Sequence, residues 1–113
     1  MTYAQSWFRA FLLTAVIEVP LVVALTSSGG QPIRKRVGVA LLGQAMTHPL
    51  VWFLFPFLPG MSRFTTLTLS ELWAWLGEAA LYALTRLAPS RLRAIAIAAF
   101  ANAASLAIGF VVL

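Results

Sequence analysis

An all-α fold follows from three observations: a polytopic integral membrane protein, built as a single bundle of four transmembrane helices over residues 1–113. First, 61% of the 113 residues are hydrophobic and only 10% are charged, against about 25% charged in a soluble domain. A soluble chain this short exposes most of its surface and needs more polar residues to cover it. Second, the apolar residues fall into four runs, each near the ~20 residues that cross a bilayer as a helix. Third, all three acidic residues, Glu18, Glu71 and Glu78, lie inside those runs, and there is no Asp. A charged side chain at the centre of a spanning helix costs about 2.5–3.5 kcal/mol. A chain that keeps its acids only there uses them, in function or in packing.

The first run, Trp7–Ser27, holds Glu18 and Pro20. It reads as a retained span rather than a cleaved leader, because no Lys or Arg precedes Arg9 and Glu18 and Pro20 interrupt the apolar stretch. Ser28-Gly29-Gly30-Gln31-Pro32 then leads into Arg34-Lys35-Arg36. The second run, Val37–Leu58, contains Gln44, Thr47, His48 and Pro49, and Pro59-Gly60-Met61-Ser62-Arg63 follows it as a turn. The third, Thr65–Leu87, carries Glu71, Glu78 and Tyr82, and Ala88-Pro89-Ser90 with Arg91 connects it onward. The fourth, Leu92–Leu113, carries Asn102 and Ser105. Its Ala99, Ala103 and Ala107, spaced four apart, form a small-residue ridge that lets another helix come close. Gly, Pro and Ser punctuate all three connectors.

The basic residues set an orientation. Arg34, Lys35, Arg36, Arg86, Arg91 and Arg93 flank the first and third connectors, and only Arg9 and Arg63 fall on the other side. This bias predicts cytoplasmic loops 28–36 and 86–93, both termini on the non-cytoplasmic side, and residence in the plasma (inner) membrane. Most aromatics, Tyr3, Trp7, Phe8, Phe11, Trp52 and Phe53 among them, then fall toward the outer half, as an interfacial belt does. The net charge of +5 marks topology and not nucleic acid, since no basic face with interleaved aromatics lies outside the apolar runs. Without Cys there are no disulfides, thiolate metal centres or iron–sulfur clusters. Nor is there a G-x-S-x-G elbow, an Asp for a triad or a Gly-rich phosphate cradle, so an enzyme is not expected.

The polar residues converge on one depth. At ~1.5 Å per residue, Glu18, His48 and Asn102 lie at a similar distance from the outer ends of their helices, with Glu78 slightly deeper and Glu71 shallower. Glu71, Trp75, Glu78 and Tyr82 share one stripe of the third helix; Gln44, Thr47 and His48 share a face of the second, and Asn102, Ser105 and Gly109 one of the fourth. Polar groups in such bundles face inward. The predicted ion site is therefore Glu18, His48, Glu78 and Asn102, supported by Gln44, Thr47, Glu71, Tyr82 and Ser105. It would bind or translocate protons, or a divalent metal ion held by Glu18, His48 and Glu78, a ligand set that suits Zn, Mn or Fe. The Glu-x-x-His pattern of di-iron bundles is absent. Other readings open to His48 are a proton relay, a core histidine, or an axial ligand to haem or a pigment. So little chain leaves scant room for a pathway, which predicts a homo-oligomer in the lipid bilayer. The alternative is a non-catalytic subunit of a larger membrane complex, its polar residues fixing helix pairing.

A faint internal repeat runs through the chain. Glu18, a basic turn and Gln44-Ala45-Met46-Thr47 correspond to Glu78, a basic turn and Asn102-Ala103-Ala104-Ser105. Each half reads Glu, turn, amide, Ala, any residue, hydroxyl, and both halves start on the same side, as in a parallel repeat.

Four short helices, this length and the lone Glu in Ala15-Val16-Ile17-Glu18-Val19 resemble the small multidrug resistance transporters. The resemblance implies a substrate- or proton-binding role for Glu18 and a dimeric working unit. It covers the first segment and the overall size. The third segment departs from it, reading Glu71-Leu72-Trp73-Ala74-Trp75-Leu76-Gly77-Glu78, as do His48-Pro49 and Asn102.

Overall fold

A computed structural model describes residues 1–113. Four helices account for most of the chain: α1 (Tyr3–Leu25), α2 (Ile33–Phe53), α3 (Arg63–Leu84) and α4 (Arg91–Val112). Short 3-10 turns at Ser27–Gly29 and Phe55–Phe57 lie in the first two connectors. There are no strands.

Each helix begins earlier than its apolar run, because a polar turn precedes the apolar part. At α1 the Thr2 hydroxyl accepts from Gln5 N at 3.1 Å and the Gln5 side chain accepts from Thr2 N at 2.8 Å. This reciprocal cap satisfies two N-terminal donors. Ser62 and Ser90 cap α3 and α4 from one side only, their hydroxyls accepting from Thr65 N and Arg93 N, each at 3.1 Å. The Arg34-Lys35-Arg36 cluster is helical, forming the first turns of α2. Pro20 and Pro49 sit inside α1 and α2 without ending either helix.

The helices form a closed ring. α1 packs on α2 and α4, α3 packs on α2 and α4, and neither diagonal pair of helices comes into backbone contact. The connectors at 26–32 and 85–90 meet at one end, where the Gln31 side-chain amide donates to Arg86 O at 3.4 Å. There the Arg36 guanidinium reaches back to Val23 O and to Thr26 Oγ1, tying α2 to the C-terminus of α1. α3 ends on Arg86, whose φ of 57° is left-handed. Leu87 N and Ala88 N fold back onto Tyr82 O at 3.0 and 3.3 Å, satisfying an end carbonyl. This end is packed solid by Val22, Ala40, Tyr82, Leu87, Ala94 and Ala98. The opposite end carries both termini and the 54–62 connector. There Tyr3 stacks near Trp52, Phe53 and Phe57, and Trp7 meets Phe11 and Phe53. The aromatics thus join α1 to α2.

Polarity is inverted relative to a soluble protein. Leu12, Val16, Leu41, Leu76, Phe100 and Ile108 are exposed, whereas Glu18, Gln44, Thr47, Ser70, Glu78 and Asn102 are buried. Three helices, α1, α4 and the segment Ile33–Phe57, are long and apolar enough to cross a membrane. The expected fourth span, α3, falls short in apolarity, though not in length. Much of the cause lies in Ser70, Glu71, Gly77 and Glu78, none of which is exposed; the exposed residues include Leu67, Leu69, Leu72, Trp73 and Leu76, with Thr65 and Thr68 nearer its start.

Candidate functional site

Glu18 and Glu78, 2% and 1% exposed, project from α1 and α3 into the middle of the ring. Their helices share no backbone contact, yet the two buried carboxyls face the same cavity at the centre of the ring. Around them, α2 and α4 supply donors in a reciprocal pattern. The Gln44 amide donates to Glu18 Oε1 at 2.8 Å and the Ser105 hydroxyl to Glu18 Oε2. The Asn102 amide donates to Glu78 Oε1 at 3.2 Å, and the Thr47 hydroxyl lies 3.1 Å from Glu78 Oε2. Each acid therefore takes an amide from the second helix of its own hairpin and a hydroxyl from the other hairpin. The two amide-Ala-x-hydroxyl segments of the internal repeat are what make this exchange possible: amide and hydroxyl, three residues apart, lie on one helical face.

Below the pair, the fully buried Tyr82 hydroxyl lies 3.5 Å from Glu78 Oε1, a long contact. Gly43 is the close-approach point of α2 on α3. A Cβ there would stand 3.3 Å from Glu78 Cγ and 3.6 Å from the Tyr82 hydroxyl. Above the pair, a cavity of about 450 Å³ runs to the end that carries the termini, past Thr14, His48, Glu71 and Arg63. The carboxyl pair is thus the floor of a one-ended vestibule, closed on its far side by the Tyr82 layer.

His48 stands apart from the acids. Its Nε2 lies 3.3 Å from Thr14 Oγ1, its ring packs edge-on against Phe11 at 5.5 Å, and its buried Nδ1 has no partner. The expected grouping of Glu18, His48 and Glu78 around a metal ion does not form: no three His, Cys, Asp or Glu side chains gather closely enough to hold one. One turn of α2 separates the causes. Gln44 and Thr47 point to the centre, while His48, beside Thr47, is turned toward α1. Glu71 lines the vestibule without joining the pair. Its stripe partner Trp75 donates its indole N–H to Ile95 O on α4, at 3.0 Å.

Comparison with known protein families, with curated proteins and with solved structures finds no match. The likeness of the first segment to the small multidrug resistance transporters therefore gains no support. The site stands on its own geometry.

Of the predicted residues, Glu18, Glu78, Asn102, Gln44, Thr47, Ser105 and Tyr82 come together, and His48 and Glu71 line the approach. Gly43 and Thr14 went unread in the sequence. The signal for Thr14 was its position four residues before Glu18, one turn up the same face. For Gly43 it was its place four before Thr47, whose hydroxyl lies 2.9 Å from Gly43 O.

Proposed function

We propose that the chain is a four-span proton-binding membrane protein in which Glu18 and Glu78 hold a proton between them at the floor of a one-ended vestibule. The observation that carries this reading is the carboxyl pair, fed by equivalent donors from both hairpins. Two ionised carboxylates buried in one cavity away from water repel strongly, and a proton shared between them removes that repulsion. The amides and hydroxyls at the pair point their protons at the carboxyl oxygens, an arrangement that suits a shared proton as the bound ion.

In this reading α3 spans the bilayer with its neighbours, its exposed face being apolar. Loops 28–36 and 86–93 face the cytoplasm of the plasma (inner) membrane, both termini lie outside, and the vestibule opens outward. Passage to the cytoplasm requires the Tyr82 layer to part; without that, the site exchanges protons with one side only. The chain acts as a binding protein, not an enzyme, and self-associates in the bilayer. Stoichiometric co-purification with a larger membrane enzyme would favour the accessory-subunit reading instead.

The test is a proton titration of the protein in nanodiscs, with infrared detection of the protonated-carboxyl carbonyl band. Glu18→Gln and Glu78→Gln should each remove the shared proton and alter that band, while Glu71→Gln leaves the shared-proton signal in place. If both pair variants kept the parent's proton count and band, the proposal would fail.

A further inference from the structure

A second concave surface adjoins the vestibule. Between α3 and α4 a groove of about 460 Å³ shares Glu71, Asn102, Leu106 and Phe110 with the vestibule wall and opens on the outer face of the bundle. Its volume is that of a small-molecule site. The stretch Leu67–Trp75 of α3 forms one wall and Ala99–Phe110 of α4 the other, which makes it about 12–16 Å long at ~1.5 Å per residue. The small Ala99 and Ala103 leave the space, and the exposed Leu67, Leu72 and Phe110 form its rim.

Its polar groups are one-sided. The Thr68 hydroxyl donates to Phe64 O at 2.9 Å, and the Trp75 indole is committed to Ile95 O. Both protons of the Asn102 amide are in use, on Glu78 Oε1 and on Ala98 O at 2.8 Å. What remains to a ligand is acceptor capacity: the Glu71 carboxylate and the Asn102 side-chain carbonyl. No basic residue lines the groove. A ligand there needs an aliphatic body and a donor head that carries no anion. An aminophospholipid fails this requirement, because its phosphate would meet only acceptors.

We infer that the α3–α4 groove is a binding site for a single-chain primary alkylammonium ion, its chain along Ala99 and Ala103 and its ammonium on Glu71. A half-buried carboxylate with no cation of its own beside an apolar slot is complementary in charge and shape to such a molecule. Because the groove opens on the outer face of the bundle, between exposed Leu67, Leu72 and Phe110, a bound amine enters from the bilayer. The inference does not rest on proton binding by Glu18 and Glu78.

Trp75 lies in the groove and reports on it. In nanodiscs of zwitterionic choline lipid, with Trp7, Trp52 and Trp73 changed to Phe, a chain-brominated dodecylamine should quench Trp75 saturably. Unbrominated dodecylamine should reverse the quenching, and the matched brominated alcohol and carboxylate should quench only in proportion to their partitioning. Glu71→Gln should weaken amine binding at least about tenfold, with Glu71→Asp restoring part of it, and Ala103→Phe should abolish saturation. Glu18→Gln, at a residue that does not line the groove, should leave it intact, which separates this site from the proton pair. Equal quenching by all three head groups, or unchanged affinity in Glu71→Gln, would overturn the inference. So would loss of amine quenching when ethanolamine phospholipid replaces the choline lipid, since the occupant would then be the headgroup of a bilayer lipid.

Discussion

At the scale of single residues, two glycines of α2 make a matched experiment. Glycine inside a helix costs roughly 0.5–1 kcal/mol relative to alanine, so Gly→Ala stabilises wherever space allows. Gly38 has nothing within 4 Å of an added Cβ, and Gly38→Ala should raise stability by about that amount. At Gly43 the new methyl would stand 3.3 Å from Glu78 Cγ, with Leu81 and Tyr82 just behind. Overpacking of that kind costs about 1–3 kcal/mol, enough to reverse the sign. Detergent-mediated unfolding of the two variants should move in opposite directions, and Gly43→Ala should also perturb the carboxyl band of Glu78. The acids, amides and hydroxyls of the site could be read from the sequence because a charged group in an apolar run is conspicuous. Gly43 could not, since a glycine announces neither what approaches it nor how closely. His48 was conspicuous and pointed elsewhere: periodicity puts it on the same broad face as Gln44 and Thr47, and only the ring of four helices shows that this face splits between the centre and α1.

At the scale of elements, the helix starts deserve the closest comparison. Apolar runs locate the part of a helix that lipid covers, and they miss the polar turn that begins it. Ser62 and Ser90 stood in the sequence as turn residues and serve as N-caps, each accepting from a backbone N–H three residues on. Ser62→Ala and Ser90→Ala should each cost about 1 kcal/mol, read as lower unfolding midpoints with the helix content of the folded protein unchanged. Exchange for Asp or Asn should retain most of the stability, which a merely packed serine would not show. α3 illustrates the other limit of reading by hydropathy. A helix whose inward face is polar and whose outward face is apolar averages to a middling value, and the average conceals how apolar the outward face is.

At the scale of the whole molecule, the ring order and the two ends follow from short connectors, while the reciprocity of the donors does not. Short connectors make consecutive helices antiparallel neighbours, so that much was legible. Which carboxyl takes which hydroxyl depends on rotation of each helix about its axis, which spacing leaves open. Topology can be tested directly because the chain has no cysteine. Single cysteines at Ser28 and Ser90 should resist a membrane-impermeant maleimide until cells are lysed, and one at Gly60 should react from outside. Labelling of Gly60 and Ser90 from the same side would remove the α3 span. The crossed donors also bear on assembly. A lone hairpin, α1 with α2 or α3 with α4, keeps one amide for its acid and lacks the hydroxyl that the other half contributes. Neither half can settle its own acid in lipid unaided, so two half-chains produced separately have reason to find each other, and the joined chain is bound together as much by this mutual debt as by its middle connector.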